Sequence, residues 1–143
     1  MANLSCIPKF VKKELADIFV AETWKLMLLD KTHIPNPGTQ QYVSDVVANE
    51  IVDGGLSPKY IAGGVAVPGK ASVADGNNYY LDAADVAIGS GATLNYRYGI
   101  LFQDTGYQAT SKIRAQVDFI NDQIVTNGTS TIQWNVLGII YLS

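Results

Sequence analysis

Thr93-Leu94-Asn95-Tyr96-Arg97-Tyr98-Gly99-Ile100-Leu101-Phe102 and, a loop later, Ile113-Arg114-Ala115-Gln116-Val117-Asp118-Phe119-Ile120 decide the fold class of this chain. Leu94, Tyr96 and Tyr98 alternate with Asn95 and Arg97. Ile113, Ala115, Val117 and Phe119 alternate with Arg114, Gln116 and Asp118. A period of two puts one residue set on each face of a pleated strand, whereas an amphipathic helix repeats at three and four. Both segments are rich in the β-branched and aromatic residues that fit a half-buried sheet.

The same character extends in both directions. Asp85 to Ile88 reads as a short strand closed by Gly89-Ser90-Gly91. Ala71 to Ala74 and Asn78 to Asp82 flank Asp75-Gly76-Asn77, a hairpin signal, and Gln123 to Thr126 and Thr129 to Trp134 flank Asn127-Gly128, a second one. Lys59 to Val67 reads as a strand in which Gly63-Gly64 marks a bulge or a close backbone approach. Ile139 to Leu142 closes the chain. Toward the N-terminus, Ile18 to Leu29 reads as a long strand, apolar on both faces near its end. Residues 6–17 read as a short helix, with Pro8 suited to a first turn. Residues 30–41 are a Pro/Gly loop, and 42–51 are open between helical turns and extended chain, with Asp53-Gly54-Gly55 as a turn.

With about eight to nine short strands and no helix-length segment between them, the expected architecture is all-β, a β-sandwich of jelly-roll type. Residues 1–143 are expected to form a single domain, with 1–17 as its N-terminal helical segment.

Composition narrows the function. Of 143 residues, 48% are apolar and 16% charged, with net charge −3 and only two arginines, Arg97 and Arg114. That lacks the basic footprint of a nucleic-acid binder. No stretch approaches the roughly 20 apolar residues of a membrane helix, and the N-terminus lacks the apolar core of a signal peptide. A surface so low in charge is expected to face other protein. Cys6 is the lone cysteine, read as a structural thiol compatible with a cytosolic origin.

Four motifs bear on chemistry. Gly64 to Ala71 nearly spells a phosphate loop ending in Gly69-Lys70, but Ala71 stands where the Mg²⁺-binding hydroxyl belongs and a strand follows, so a Pro-Gly turn is the reading. Asp104-Thr105-Gly106 matches the aspartic-protease triplet, which in a homodimer would share a proton between two carboxylates; it is equally ordinary turn chemistry. Asp75, Asp82 and Asp85 offer oxygens for Ca²⁺ but flank a strand rather than converge. Tyr79, Tyr80, Tyr96 and Tyr98 suit either cross-strand packing or a sugar-stacking platform. His33, the single histidine, is expected to be a solvated or interface loop residue. The chain is accordingly expected not to be an enzyme and to hold no metal, cofactor or small-molecule substrate.

An ordered set of strings carries a resemblance over nearly the whole chain. Phe10-Val11-Lys12-Lys13-Glu14-Leu15 leads into Trp24-Lys25-Leu26-Met27-Leu28-Leu29, followed by Val43-Ser44-Asp45-Val46, Glu50 and Tyr60-Ile61-Ala62-Gly63-Gly64-Val65. Then come Asp82-Ala83-Ala84-Asp85-Val86, Arg97 through Gly106, Val117-Asp118-Phe119 and Thr131-Ile132-Gln133-Trp134-Asn135. In this order the chain resembles the capsid decoration, or cement, proteins of tailed bacteriophages. The resemblance implies a homo-oligomeric virion protein on the capsid exterior, made in the bacterial cytoplasm and bound to the major capsid protein. A tail or baseplate adaptor or receptor-binding domain is the alternative, and a dimeric protease using Asp104 the minor one. Lying outside the strand core, Lys9, Phe10, Lys12, Lys13, Lys31, His33 and Asn36 are the expected capsid contacts.

Overall fold

A computed structural model describes residues 7–142; Cys6 and the start of the expected helical segment lie outside them. The chain is mostly β, with one α-helix and two antiparallel sheets among the described residues. It divides into two compact units. One comprises Met1–Glu22, Pro68–Ala84 and Gln133–Ser143, the other Thr23–Val67 and Asp85–Ile132.

In the first unit, helix α1 (Lys9–Ala21) packs on a three-stranded sheet of order β3-β4-β7. Pro8 precedes the helix, and its carbonyl accepts from Val11 N and Lys12 N. Strands β3 (Ala71–Asp75) and β4 (Asn78–Asp82) form the expected hairpin. Asp75 pairs with Asn78, leaving Gly76-Asn77 as a two-residue loop. Gly76 has φ +58 and Asn77 does not share the positive sign, the pattern of a type II′ turn. The short β7 (Ile140–Leu142) pairs with β4.

The helix corrects the expected strand at 18–29. It continues to Ala21, and β1 spans only Trp24–Leu29. Ile18-Phe19-Val20 favour strands locally, but extending an existing helix costs each such residue only about 0.7 kcal/mol or less. Lys12 and Ala16, one turn apart, are the buried face. The helix ends where Glu22 turns extended, and Lys70 Nζ donates to the carbonyls of Val20 (2.9 Å) and Glu22. A cation on the free carbonyls of a last turn satisfies orphan acceptors and the helix dipole together. Lys70→Met is therefore expected to destabilise the protein by about 1–2 kcal/mol, read by urea denaturation, with faster amide exchange in the last turn of α1.

In the second unit the sheet order is β2-β1-β5-β6, where β2 is Val65–Ala66, β5 Val86–Gln103 and β6 Ile113–Ile132. Met27 and Leu29 of β1 and Ile100 and Phe102 of β5 form one buried face with Val43, which opens the first of two short 3₁₀ turns (Val43–Asp45 and Val47–Asn49), and Val46, which lies between them. Leu26, Leu28 and Leu101 on the opposite face are equally buried. That accounts for the doubly apolar run in β1.

The described residues form seven strands, not eight to nine. Asp85–Ile88 and Thr93–Phe102 fuse into β5, and the three segments expected between 113 and 134 fuse into β6. Asn127-Gly128 is not a hairpin. It lies within β6 opposite Ala92, where the register shifts, and Asn127 takes φ +46. Gly89-Ser90-Gly91 likewise bulges between the pairs Ile88–Ser130 and Ala92–Gly128. Turn-forming residues met a partner strand that kept running, so they made bulges instead of reversals. The expected strand at 59–67 shrinks to β2, because Gly63 and Gly64 both have positive φ and Gly64 presses on the main chain of Leu26.

Candidate functional site

One flank of α1 carries a run of exposed apolar side chains, and Val11 and Leu15 on it, with Ile7 just before the helix, line a pocket of about 260 Å³ with Tyr141 and Leu142. Ile7, Val11, Leu15 and Ile18 recur at spacings of three and four and are 38–55% exposed, with Phe10 beside them at 64%. Apolar side chains left this exposed on one flank of a helix are surface that its own unit does not fully cover. Of the expected contacts here, Lys9, Phe10 and Lys13 are exposed. Lys9 lies over the Tyr79 ring at 5.8 Å, and Lys13 pairs with Asp17 at 2.5 Å. Lys12 departs from expectation: it is buried, donating to Asn78 Oδ1 at 2.8 Å. It sits one turn before Ala16, on the packed face.

The loop 30–41 belongs to the second unit and holds itself in shape. Asp30 Oδ1 accepts from Thr32 N at 2.8 Å, Gln40 Oε1 accepts from Asn36 N at 2.8 Å, and Gln40 Nε2 donates to Ile34 O at 3.0 Å. Lys31 and Asn36 are exposed on it, and Ile34 is 79% exposed. His33 is a correction. It is 2% exposed and meets Tyr98 edge-on at 5.4 Å, because the loop folds back over β5 and carries the ring inward. Its Nε2 has no hydrogen-bond partner among the described residues.

Asp104 closes a small pocket of about 210 Å³ with Lys25, Met27, Val43, Phe102 and Ser111. Its carboxylate is engaged: Lys25 Nζ lies 2.9 Å from Oδ2, and Gly106 N donates to Oδ1 at 3.0 Å. The Lys25 ammonium, helped by the Gly106 N–H, holds the carboxyl below the usual carboxylate range. A protease dyad requires the opposite tendency in one partner, a carboxyl that retains its proton. The triplet serves here as a turn whose first residue anchors its own loop.

The near phosphate loop is likewise spoken for, since Lys70 caps α1. Asp75 accepts from the Tyr141 hydroxyl at 2.9 Å and Asp82 from Ala83 N at 2.9 Å, at opposite ends of the hairpin. Among the described residues no three His, Cys, Asp or Glu side chains gather as a metal cluster would require. Tyr79 and Tyr80 are neighbours on β4 and so point to opposite faces of its sheet, and in the second unit Tyr96 is buried, bonded to Ser130 Oγ at 2.7 Å and edge-on to Phe119. Among the described residues no helix is long and apolar enough to cross a membrane.

Three polar residues that organise the second unit carry no motif. Asp53, 5% exposed, accepts main-chain N–H groups from Gly55, Lys59, Tyr60 and Thr93. Tyr60, buried, accepts from Leu28 N at 3.0 Å and donates to Glu50 Oε1 at 2.8 Å, which also accepts from Gly63 N. Burial pushes the Tyr60 phenol well above its ordinary value. The hydroxyl occupies the outer edge of β1 beyond the reach of the two-residue β2. Tyr60→Phe strands Leu28 N–H in the interior and is expected to cost about 1–3 kcal/mol, read as a lower denaturation midpoint at unchanged m-value.

Set against known protein families, curated proteins and solved structures, the chain matches none.

Proposed function

We propose that this is a non-enzymatic virion structural protein. In this reading it binds the outer capsid surface and cements neighbouring major capsid subunits, and its two antiparallel sheets are parts of a β-sandwich of jelly-roll type. The observation that carries the reading is the exposed apolar flank of α1. Four exposed apolar side chains on α1, with Ile7 just before it, suit burial against another protein, and hydrophobic burial drives such association. The low share of charged residues points the same way, and so does the engaged carboxylate of Asp104. Repetition over a symmetric shell turns weak single contacts into stable occupancy. Lys9, Phe10 and Lys13 on α1, and Lys31 and Asn36 on the loop, are the contacts in this reading.

The test is co-sedimentation with empty shells that lack the protein. Saturable binding at a fixed copy ratio, with shells more resistant to heat, is the expected result. Phe10→Ala with Ile18→Asn is expected to weaken binding roughly tenfold or more while leaving thermal unfolding of the free protein near wild type. Absence of wild-type binding overturns the capsid role and directs the search to the tail.

A further inference from the structure

The second unit holds a crevice of about 400 Å³ between the loop 54–59 and the facing bulges of β5 and β6. That volume lies within the range of small-molecule sites, about 300–1,000 Å³. Its walls are pre-formed. Asp53 ties Gly55, Lys59 and Thr93 together through their main-chain N–H groups, and Thr93 Oγ1 accepts from Asn127 N at 3.1 Å. Gly54 N donates back to Thr93 O at 2.9 Å. Gly55 lies so close to β5 that a Cβ there would stand 2.6 Å from Gly91 O. Pro58 fixes one further backbone angle of the loop.

Two residues in the left-handed region face each other here, Gly91 at φ +93 and Asn127 at φ +46. Bulges and such conformations interrupt a ladder without strengthening it, and they gather beside binding sites. The open position over Gly91, where a Cβ would stand, lies 3.9 Å from Lys59 Cε and 3.7 Å from Asn127 Oδ1. Two polar side chains thus converge on a point that only glycine leaves free. The Lys59 stem runs past Gly89 as well, with Cγ and Cδ each 4.0 Å from where a Cβ there would stand, so the ammonium is held at the crevice. Among the described residues that ammonium makes no hydrogen bond or ion pair, and the side chains of Ser57, Ser90 and Asn127 make no hydrogen bond. No carboxylate among them lines the crevice. Asp53 lies behind Gly55 with both oxygens filled by N–H groups.

We propose that this crevice binds a small anionic sugar, with its oxyanion on Lys59 and its hydroxyls on Ser57, Ser90 and the Asn127 carboxamide. A lone ammonium in a recess without carboxylates favours an anion, and a charge-assisted bond to phosphate or carboxylate is the strongest contact these groups can make. One cation suits one oxyanion group, not a polyphosphate. Two hydroxyls and a carboxamide both donate and accept hydrogen bonds, which matches a carrier rich in hydroxyl groups. Leu56 is the one large apolar side chain among the described residues of the lining, so an apolar ligand gains little burial. The site is independent of the capsid reading, whose carrying observation is α1 in the other unit, so either can fail alone.

The experiment titrates the full chain with glucose 6-phosphate, glucuronate and glucose, following the amide resonances of residues 55–59 and 90–92 by NMR. Saturable shifts at those residues are expected with glucose 6-phosphate, glucuronate or both, and the comparison tells a phosphate group from a carboxylate. Glucose is expected to bind about tenfold more weakly or worse. Lys59→Met keeps the main-chain bond to Asp53 and is expected to lose about tenfold or more in affinity at an unchanged melting temperature. Lys112→Met, at an exposed lysine just before β6, is expected to leave binding as it is. Absence of saturable shifts with both anions overturns the proposal, and so does glucose binding as tightly as they do. An equal loss of affinity in Lys59→Met and Lys112→Met overturns it too, because general charge attraction would then account for the binding.

Discussion

Asp53→Ala is expected to lower the melting temperature by about 10 °C, the largest effect of any side-chain truncation at a loop position in this protein. The carboxylate uses both oxygens. Oδ1 accepts from Gly55 N and Thr93 N, each at 2.9 Å, and Oδ2 from Lys59 N at 2.7 Å and Tyr60 N at 3.0 Å. It thus ties the loop 53–60 to the middle of β5. Removing it leaves four main-chain donors without their acceptor. Asp53→Asn is expected to do no better than alanine, because one oxygen becomes an NH2 facing two N–H donors. An asparagine variant with a wild-type melting temperature would overturn this account.

The same geometry sets a pH dependence. The Thr93 N–H, with those of Tyr60, Gly55 and Lys59, holds the Asp53 carboxyl far below the usual carboxylate range, against the opposing effect of burial. A group whose pKa is depressed by folding contributes stability that is fully present above its unfolded value, about 3.9, and is lost as pH falls below it. Between about pH 5 and pH 2 the wild type is therefore expected to lose stability more steeply than Asp53→Ala, with the two curves parallel above about pH 5. Equal acid slopes would show that the four donors do not set this carboxyl's behaviour.

Asp53 also marks where sequence legibility stopped. Asp-Gly-Gly signals a turn, and the bond from Gly55 N two residues on is the local chemistry behind that signal. The bonds from Lys59, Tyr60 and Thr93 join residues 6 to 40 positions away and leave no periodic trace. Glu50 and Tyr60 were hidden for the same reason. The hairpin at 75–78 was legible because its turn and both strands lie within one local stretch. The character of β5 and β6 was legible too, since strict alternation survives whatever the partner is. Their lengths were not. Gly89-Ser90-Gly91 and Asn127-Gly128 are turn signals wherever the chain is free to reverse, and only their opposition across one ladder turns them into bulges.

The contact residues divide similarly. Exposure of Lys9, Phe10, Lys13, Lys31 and Asn36 follows from their segments, a helix and a loop outside the ladders. Burial of Lys12 and His33 does not follow from their segments, because it depends on what each backbone lies against. A lysine one turn before Ala16 faces the sheet under α1, and a polar loop is free to turn its one aromatic side chain onto Tyr98.

Gly64→Ala is expected to destabilise the protein by about 3–5 kcal/mol. Two effects add at this position. Gly64 has φ +91, and an added Cβ would lie 2.7 Å from Leu26 O and 3.0 Å from Leu26 C. The obstacle is the main chain of β1, whose Leu26 is fully buried and paired on both sides, with Val65 and Leu101, so no flexible side chain can yield. Gly76→Ala separates the two effects. Gly76 has φ +58 with open space where a Cβ would stand, so only the left-handed conformation is penalised, at about 1–2 kcal/mol. Urea denaturation of both variants reads the difference directly. If Gly64→Ala costs no more than Gly76→Ala, then β2 moves off β1 without loss and the close approach contributes nothing to the fold. If it costs several kcal/mol more, the two-residue β2 is held by backbone proximity that only glycine permits, and the Gly63-Gly64 pair is what lets the chain seal the outer edge of β1.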